Sequence, residues 1–141
     1  MHVRAARDDD VPWLPAYILG GFDHNGYTPS EAGLGTIIER CRTSGYALIA
    51  EHLKQPVGIL GALIVPMGWA EQTQIVVLAL RSTRPGAGAM LLRTLFEAAR
   101  ATFAHDVAVT IENPDPRVDK MMRRFGQFRM LRTYVFRNQE E

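Results

Sequence analysis

The sequence predicts an α/β (α+β) domain built around a mixed sheet, and three stretches carry that expectation. Residues 45–65 read as two apolar strands joined by a tight turn. Residues 72–100 read as a strand, a glycine turn and an amphipathic helix, and residues 106–125 as a strand, a proline break and a further helix. Hairpin-joined strands followed by strand–helix–strand units give antiparallel neighbours first and a crossover afterwards.

Taken in order, His2 to Ala6 reads as a short first strand. Asp8, Asp9 and Asp10 suit a helix N-terminus, where carboxylates accept from free N–H groups and meet the positive end of the dipole. That helix carries Val11, Trp13, Leu14, Tyr17 and Ile18 and stops near Gly20-Gly21, while Pro15, lacking an N–H, predicts a kink or a late start. Phe22 to Tyr27 is a loop. Thr28-Pro29-Ser30-Glu31 then gives an N-cap, a proline at the first helical position and a glutamate three residues after the cap. The second helix runs to about Arg42, with Leu34, Ile37, Ile38 and Cys41 on one face and Gly33 and Gly35 weakening it.

Gly45 to His52 is a strand, Leu53-Lys54-Gln55 a turn, and Pro56 to Val65 the partner strand, whose near-continuous apolar character predicts burial on both faces. After Pro66-Met67-Gly68 the run from Gln72 to Leu80 is again β-branched and strand-like. The long helix, about Gly88 to Phe103, sets Leu91, Leu92, Leu95, Phe96 and Ala99 at helical spacing. Asp106 to Glu112 is the next strand, broken by Asn113-Pro114-Asp115-Pro116. Asp115 caps a helix that ends at Phe125 with Gly126 as its stop, and residues 127–137 close the chain as one strand or two short ones.

At 141 residues the chain is expected to form one domain, residues 1–141. No apolar run approaches the ~20 residues of a membrane span, and MHVRAARDDD lacks the apolar stretch of a secretory signal. One cysteine, Cys41, excludes an internal disulfide and the usual multi-cysteine metal sites. The expectation is an intracellular, cytoplasmic protein with neither metal nor membrane partner. Net charge is +1, so no global field demands a polyanion, but it is unevenly spread. Residues 1–80 hold five Lys/Arg against eight Asp/Glu, net −3, and residues 81–141 hold eleven against seven, net +4. The basic half suits either a phosphate-bearing ligand or a solvated, arginine-bearing helix face.

Between the strand-like run ending at Leu80 and the long helix lies RSTRPGAG, with Gly86 and Gly88 two residues apart. At a helix start the first N–H groups lack intrahelical partners and the dipole adds about half a positive charge. Glycines let backbone approach a ligand closely, so an anion, above all a phosphate, suits the corner. Arg84 beside the turn, or Arg81, would add charge-assisted hydrogen bonds. The three-glycine dinucleotide pattern lacks its third glycine here, and no Gly-Lys-Ser/Thr tripeptide supplies a P-loop. The plain alternative is a tight strand-to-helix turn and nothing more.

From His2 to about Arg137 this order of elements resembles the GNAT superfamily, the GCN5-related N-acetyltransferases. VRAARDDDVPWL looks like the family's first strand and helix, and GYALIAEHLKQPVGILGALIV like its second and third strands. QIVVLALRSTRPGAGAMLLRTLFEAARA looks like the fourth strand, pyrophosphate loop and third helix. DVAVTIENPDPRVDKMMRRFGQF looks like the fifth strand, the next helix and a closing Gly-Phe split by Gln127. The resemblance implies a mixed sheet, splayed between its fourth and fifth strands and flanked by about four helices. It also implies acetyl-CoA as co-substrate, with the pantetheine arm in the splay. Backbone groups of Leu78 and Leu80 would bond that arm, and the amides of Gly86, Ala87, Gly88 and Ala89, with Arg84, would hold the pyrophosphate. Asn113 matches a polar position that in many members faces cofactor or acceptor.

The chain departs from the family pattern at its chemistry. Aligning the two glycines puts Thr83 at the family's Gln/Arg position and leaves Arg84 one residue late. A tyrosine acid common in the penultimate helix corresponds to Met122, and a glutamate base of the fourth strand to Gln74, whose amide cannot accept a proton at neutral pH. Glu71, His24 and Tyr134 are the replacement candidates, with Glu51 and Tyr27 behind them. Trp13, Phe22, Trp69, Met121 and Met122 read as packing residues, and Cys41 as inert. The function implied is transfer of an acyl group to an amine of a small molecule or peptide by direct attack on the thioester, with a homodimer a further expectation of the resemblance. Two alternatives stand beside it: a catalytically degenerate binding module, and a phage-type enzyme that modifies nucleic acid through the basic set Arg117, Lys120, Arg123, Arg124, Arg129, Arg132 and Arg137.

Overall fold

The computed structural model describes residues 1–21, 28–66, 72–101, 104–110 and 116–126, with Phe128 and Phe136. Five strands, β1 (His2–Ala5), β2 (Gly45–His52), β3 (Gln55–Pro66), β4 (Thr73–Ser82) and β5 (Ala104–Val109), lie side by side in chain order. The first four are mutually antiparallel and β5 is parallel to β4, so the sheet is mixed, as the sequence predicts. The helices are α1 (Leu14–Leu19), α2 (Glu31–Ser44), α3 (Ala87–Arg100) and α4 (Pro116–Arg123). α3 is the crossover that a parallel β4–β5 step requires.

Side-chain alternation along the strands assigns the two faces of the sheet. Ala50 of β2, Leu60 and Ala62 of β3, and Ile75 and Val77 of β4 pack against Ala87, Leu91, Leu92, Leu95 and Phe96 of α3. On the other face Ile49 and Ile59 meet Leu14 and Ile18 of α1 and Ile38 of α2, and Ala47 and Leu63 meet Cys41. Helices on both faces of β3 explain why Gly58 to Leu63 is buried without interruption. Burial also pushes the Cys41 thiol above its ordinary pKa, which keeps it neutral and unreactive.

Local signals fix most boundaries and mislead at a few. Asp8–Asp10 is a short 3-10 turn, and α1 starts late, with Pro15 in its first turn where an N–H is not needed. Asp10 serves the core more than a helix dipole. It is only 4 % exposed, accepts from the Arg7 N–H at 2.8 Å, and takes a two-pronged contact from Arg4 at 2.6 and 2.9 Å. The cap of α2 is Ser30, not Thr28, because the Ser30 hydroxyl reaches the Gly33 N–H at 3.0 Å. α2 continues two residues past the predicted end, whereas β5 ends at Val109, short of Glu112. The predicted closing strand, 127–137, lies outside the described residues apart from Phe128 and Phe136.

The described sheet shifts register at Ala50/Glu51 against β3, at Thr73/Gln74 against β5 and at Gly61/Ala62 against β4, and the last of these bears on the site. Among the described residues the pairing of β4 to β5 runs from Thr73 to Val77 and breaks there, while its pairing to β3 continues to Ser82. The break coincides with a β-bulge: Val77 faces Ala62, Ala79 faces Gly61, and Leu78 between them has no partner in β3. A bulge bends and twists its strand and shifts the alternation by one. Before it, Ile75 and Val77 pack toward α3. After it, Leu80 packs there and Ala79 joins the α1/α2 side.

Candidate functional site

Among the described residues, β4 has no partner on its β5 side from Leu78 onward, just where it approaches the start of α3. Thr83 donates its N–H to the Val57 carbonyl at 2.9 Å, and backbone direction alternates along an antiparallel strand. Leu80 and Ser82 therefore turn their N–H and C=O groups away from β3, toward the β5 side of the strand, where no described residue pairs with them. Leu78, 47 % exposed, stands at the mouth of this opening.

The loop from Thr83 to Gly86 is a built turn. The Ser82 hydroxyl and the Ala87 N–H both donate to the Arg84 carbonyl, at 2.8 and 3.1 Å. Gly86 caps α3 in the left-handed region at φ +86°, which strains any residue with a Cβ. Gly58 lets α3 lie close on the sheet, since a Cβ there would come within 3.0 Å of Leu91 Cδ1. Among the described residues the N–H groups of Gly86, Gly88 and Ala89 have no hydrogen-bond partner, and Met90 makes the first intrahelical bond, to Gly86 at 3.0 Å. The Ala87 N–H, expected with them, donates instead to the Arg84 carbonyl, and its side chain is buried. Three donors, a dipole end and two side-chain-free positions form an anion seat.

The two arginines divide. Arg84 is exposed at the turn, and its positive charge, after burial, is a cause of the lowered pKa of His52 at the end of β2. Arg81, expected as a second cation at the turn, points the other way. Its Nη1 donates to the Tyr17 carbonyl and its guanidinium carbon lies 4.4 Å from the Tyr17 ring centre. The cause is the bulge, which places position 81 on the α1/α2 face.

The replacement bases fare unevenly. Glu51 is excluded: Arg4 Nε donates to it at 2.5 Å, His2 Nε2 lies 3.4 Å away, and the Arg4 hydrogen bond holds its pKa below the usual carboxylate range. Met122 is half-buried and packs with Met121 and Phe125 on the α3 core, as its packing assignment requires, and supplies no acid. Gln74 is half-buried in β4 opposite Val65. Trp13 packs edge-on against Tyr17 at 5.6 Å. Glu71, His24, Tyr134, Asn113, Tyr27, Phe22 and Trp69 lie outside the described residues.

The purpose of Gly20-Gly21 escapes sequence reasoning, which sees only a helix stop. A Cβ at 21 would overlap Arg81 Cδ and Nε, whereas one at 20 would sit 3.4 Å from its Nη1, an ordinary contact, so it is Gly21 that makes room for Arg81. Tyr17 has no role in the sequence reading either, yet its hydroxyl lies 3.2 Å from Thr83 Oγ1 in the loop.

No family model matches the sequence, and no curated protein matches it. Solved structures do match in shape. A protein from Thermus thermophilus is 20 % identical, covers 100 % of this chain and 99 % of its own, and superposes with a TM-score of 0.72. An aminoglycoside acetyltransferase from an uncultured soil metagenomic sample, solved with sisomicin, is 15 % identical over 99 % of this chain and 96 % of its own, again with a TM-score of 0.72. A transcriptional regulator from Bacillus halodurans C-125 is 13 % identical over 97 % and 99 %, with a TM-score of 0.72. At these identities the likeness is one of fold. The chain has the fold of these structures, the GNAT-like mixed-sheet fold that its element order resembles.

Proposed function

We propose that this chain is an N-acetyltransferase that takes acetyl-CoA as co-substrate and transfers the acetyl group to an amine of a small molecule or peptide. The observation that carries the reading is the continuity of two surfaces: among the described residues, the edge of β4 beyond Leu78 that faces away from β3 has no strand paired to it and leads to the N–H groups of Gly86, Gly88 and Ala89, which have no partner there either. An extended arm with amide groups can add to an open strand edge as a peptide strand would. A diphosphate at its end would meet the helix start, with Arg84 beside it. The amine nitrogen would attack the thioester carbonyl, the C–S bond would break, and the departing thiolate would take up a proton while the new amide loses one.

Titration calorimetry with acetyl-CoA and with CoA tests the seat, and absence of binding at millimolar cofactor would sink the proposal. Turnover is read as free thiol released in the presence of an amine panel that includes aminoglycosides, since an aminoglycoside acetyltransferase is among the structural neighbours. A second reading, a binding module that holds the cofactor without transferring its acetyl group, is favoured by Glu51 being consumed in ion pairs and Met122 in the core. It predicts binding with no acceptor-dependent thiol release, and turnover sensitive to loop substitution would remove it.

A further inference from the structure

We infer that Arg81 is a positioning residue for the cofactor loop, acting through Tyr17 and tying the end of α1 to cofactor affinity. The inference rests on the reading of the β4–α3 corner as an acyl-CoA seat. The bulge is its origin: alternation without it would carry position 81 to the α3 face, with Ile75 and Val77. Instead the Arg81 guanidinium lies over the Tyr17 ring and donates to the Tyr17 carbonyl, in the part of α1 where carbonyls have no helical N–H ahead of them and the dipole is negative. A six-residue helix is too short to hold itself, so its end depends on such contacts.

From Tyr17 the connection runs to the loop. Its hydroxyl is 3.2 Å from Thr83 Oγ1, which in turn lies 3.2 Å from the Val57 carbonyl. That carbonyl can only accept, so the Thr83 hydroxyl donates to it and accepts from Tyr17. Thr83 opens the loop, and its N–H donates to the same carbonyl. Arg81 thus sets the ring of Tyr17, Tyr17 sets Thr83, and Thr83 sets the path of the backbone toward Gly86. Gly21 keeps this route clear, since a Cβ there would displace the Arg81 stem.

The test measures CoA affinity by calorimetry in the wild-type chain, Tyr17→Phe, Arg81→Met and the double variant, with hydrogen exchange of residues 14–21 with and without CoA. Tyr17→Phe keeps the ring and the carbonyl, so folding is retained. Loss of one neutral hydrogen bond should weaken CoA about 5-fold. Arg81→Met should weaken it about 10-fold, and the double variant should match Arg81→Met, because both substitutions break one chain. CoA should raise protection of the 14–21 amides in the wild-type chain and not in Tyr17→Phe. Affinities within about 2-fold of wild type in both single variants, additive losses, or an unchanged protection response in Tyr17→Phe would overturn the inference. A wild-type chain that fails to bind CoA would instead remove the underlying reading, and this inference with it.

Discussion

A Cβ at position 88 would rest 3.6 Å from the Ser82 Cβ, an ordinary van der Waals contact, so the fold has room for alanine there. Glycine inside a helix costs about 0.5–1 kcal/mol relative to alanine. Gly88→Ala should therefore raise stability by roughly that amount in urea unfolding, yet weaken CoA about 10-fold by crowding the seat. A stabilised variant with unchanged affinity would show that Gly88 serves no ligand. Asp10 is the opposite case, a residue the core cannot release. The Arg4 hydrogen bond, then the Arg7 N–H, hold its pKa below the ordinary value against the opposing effect of burial. A depressed folded pKa gives stability that is complete above the unfolded value of about 3.9 and is lost as pH falls through the folded one. Asp10→Asn should cost about 3 kcal/mol at neutral pH, as expected for breaking a buried pair. The gap between wild type and variant should be constant from pH 7 to 5 and close below about pH 4. Urea unfolding across that range checks it.

At the scale of elements, the β2–β3 hairpin folds through Leu53 and Lys54, both in the left-handed region at φ +51° and +64°. A two-residue turn of this kind favours Asn-Gly, and each ordinary residue there costs about 1 kcal/mol or more. Leu53 is also 83 % exposed, so no packing offsets the strain. Replacing Leu53-Lys54 by Asn-Gly should stabilise the chain by roughly 1–2 kcal/mol, read as a higher melting temperature with cofactor affinity retained. This turn was legible to within a residue, Gln55 opening β3 opposite His52 rather than closing the turn, because apolar runs and the polar break between them are local properties. So was the glycine turn before α3. The caps were half legible: Thr28 and Ser30 are both capping residues, and only the position of the Gly33 N–H decides between them. The bulge was not legible. Val76 to Leu80 is uniformly apolar, and a bulge exists only relative to the partner strand. Arg81 was misplaced for the same reason, its partner Tyr17 lying 64 positions away.

For the whole molecule, the mixed sheet could be derived from residue patterns, whereas its splay came only from the family resemblance. The structure shows a bulge at Leu78, which has no partner in β3, beside the last described β4–β5 pair. A ligand that binds only the folded state stabilises it by mass action, about 2.7 kcal/mol at a hundred times its dissociation constant. Saturating CoA should therefore raise the melting temperature by roughly 8 °C for a chain of this length, and scanning fluorimetry without any shift would contradict the seat. The bulge also permits an unusual genetic dissection. Excising Leu78 would leave Val77 and Ala79 opposite the same β3 residues as before, and Leu80 and Arg81 on the same faces. The shortened strand should still fold, with its melting behaviour preserved and its grip on CoA abolished. A single missing codon would then separate the architecture of this protein from whatever passes between its strands.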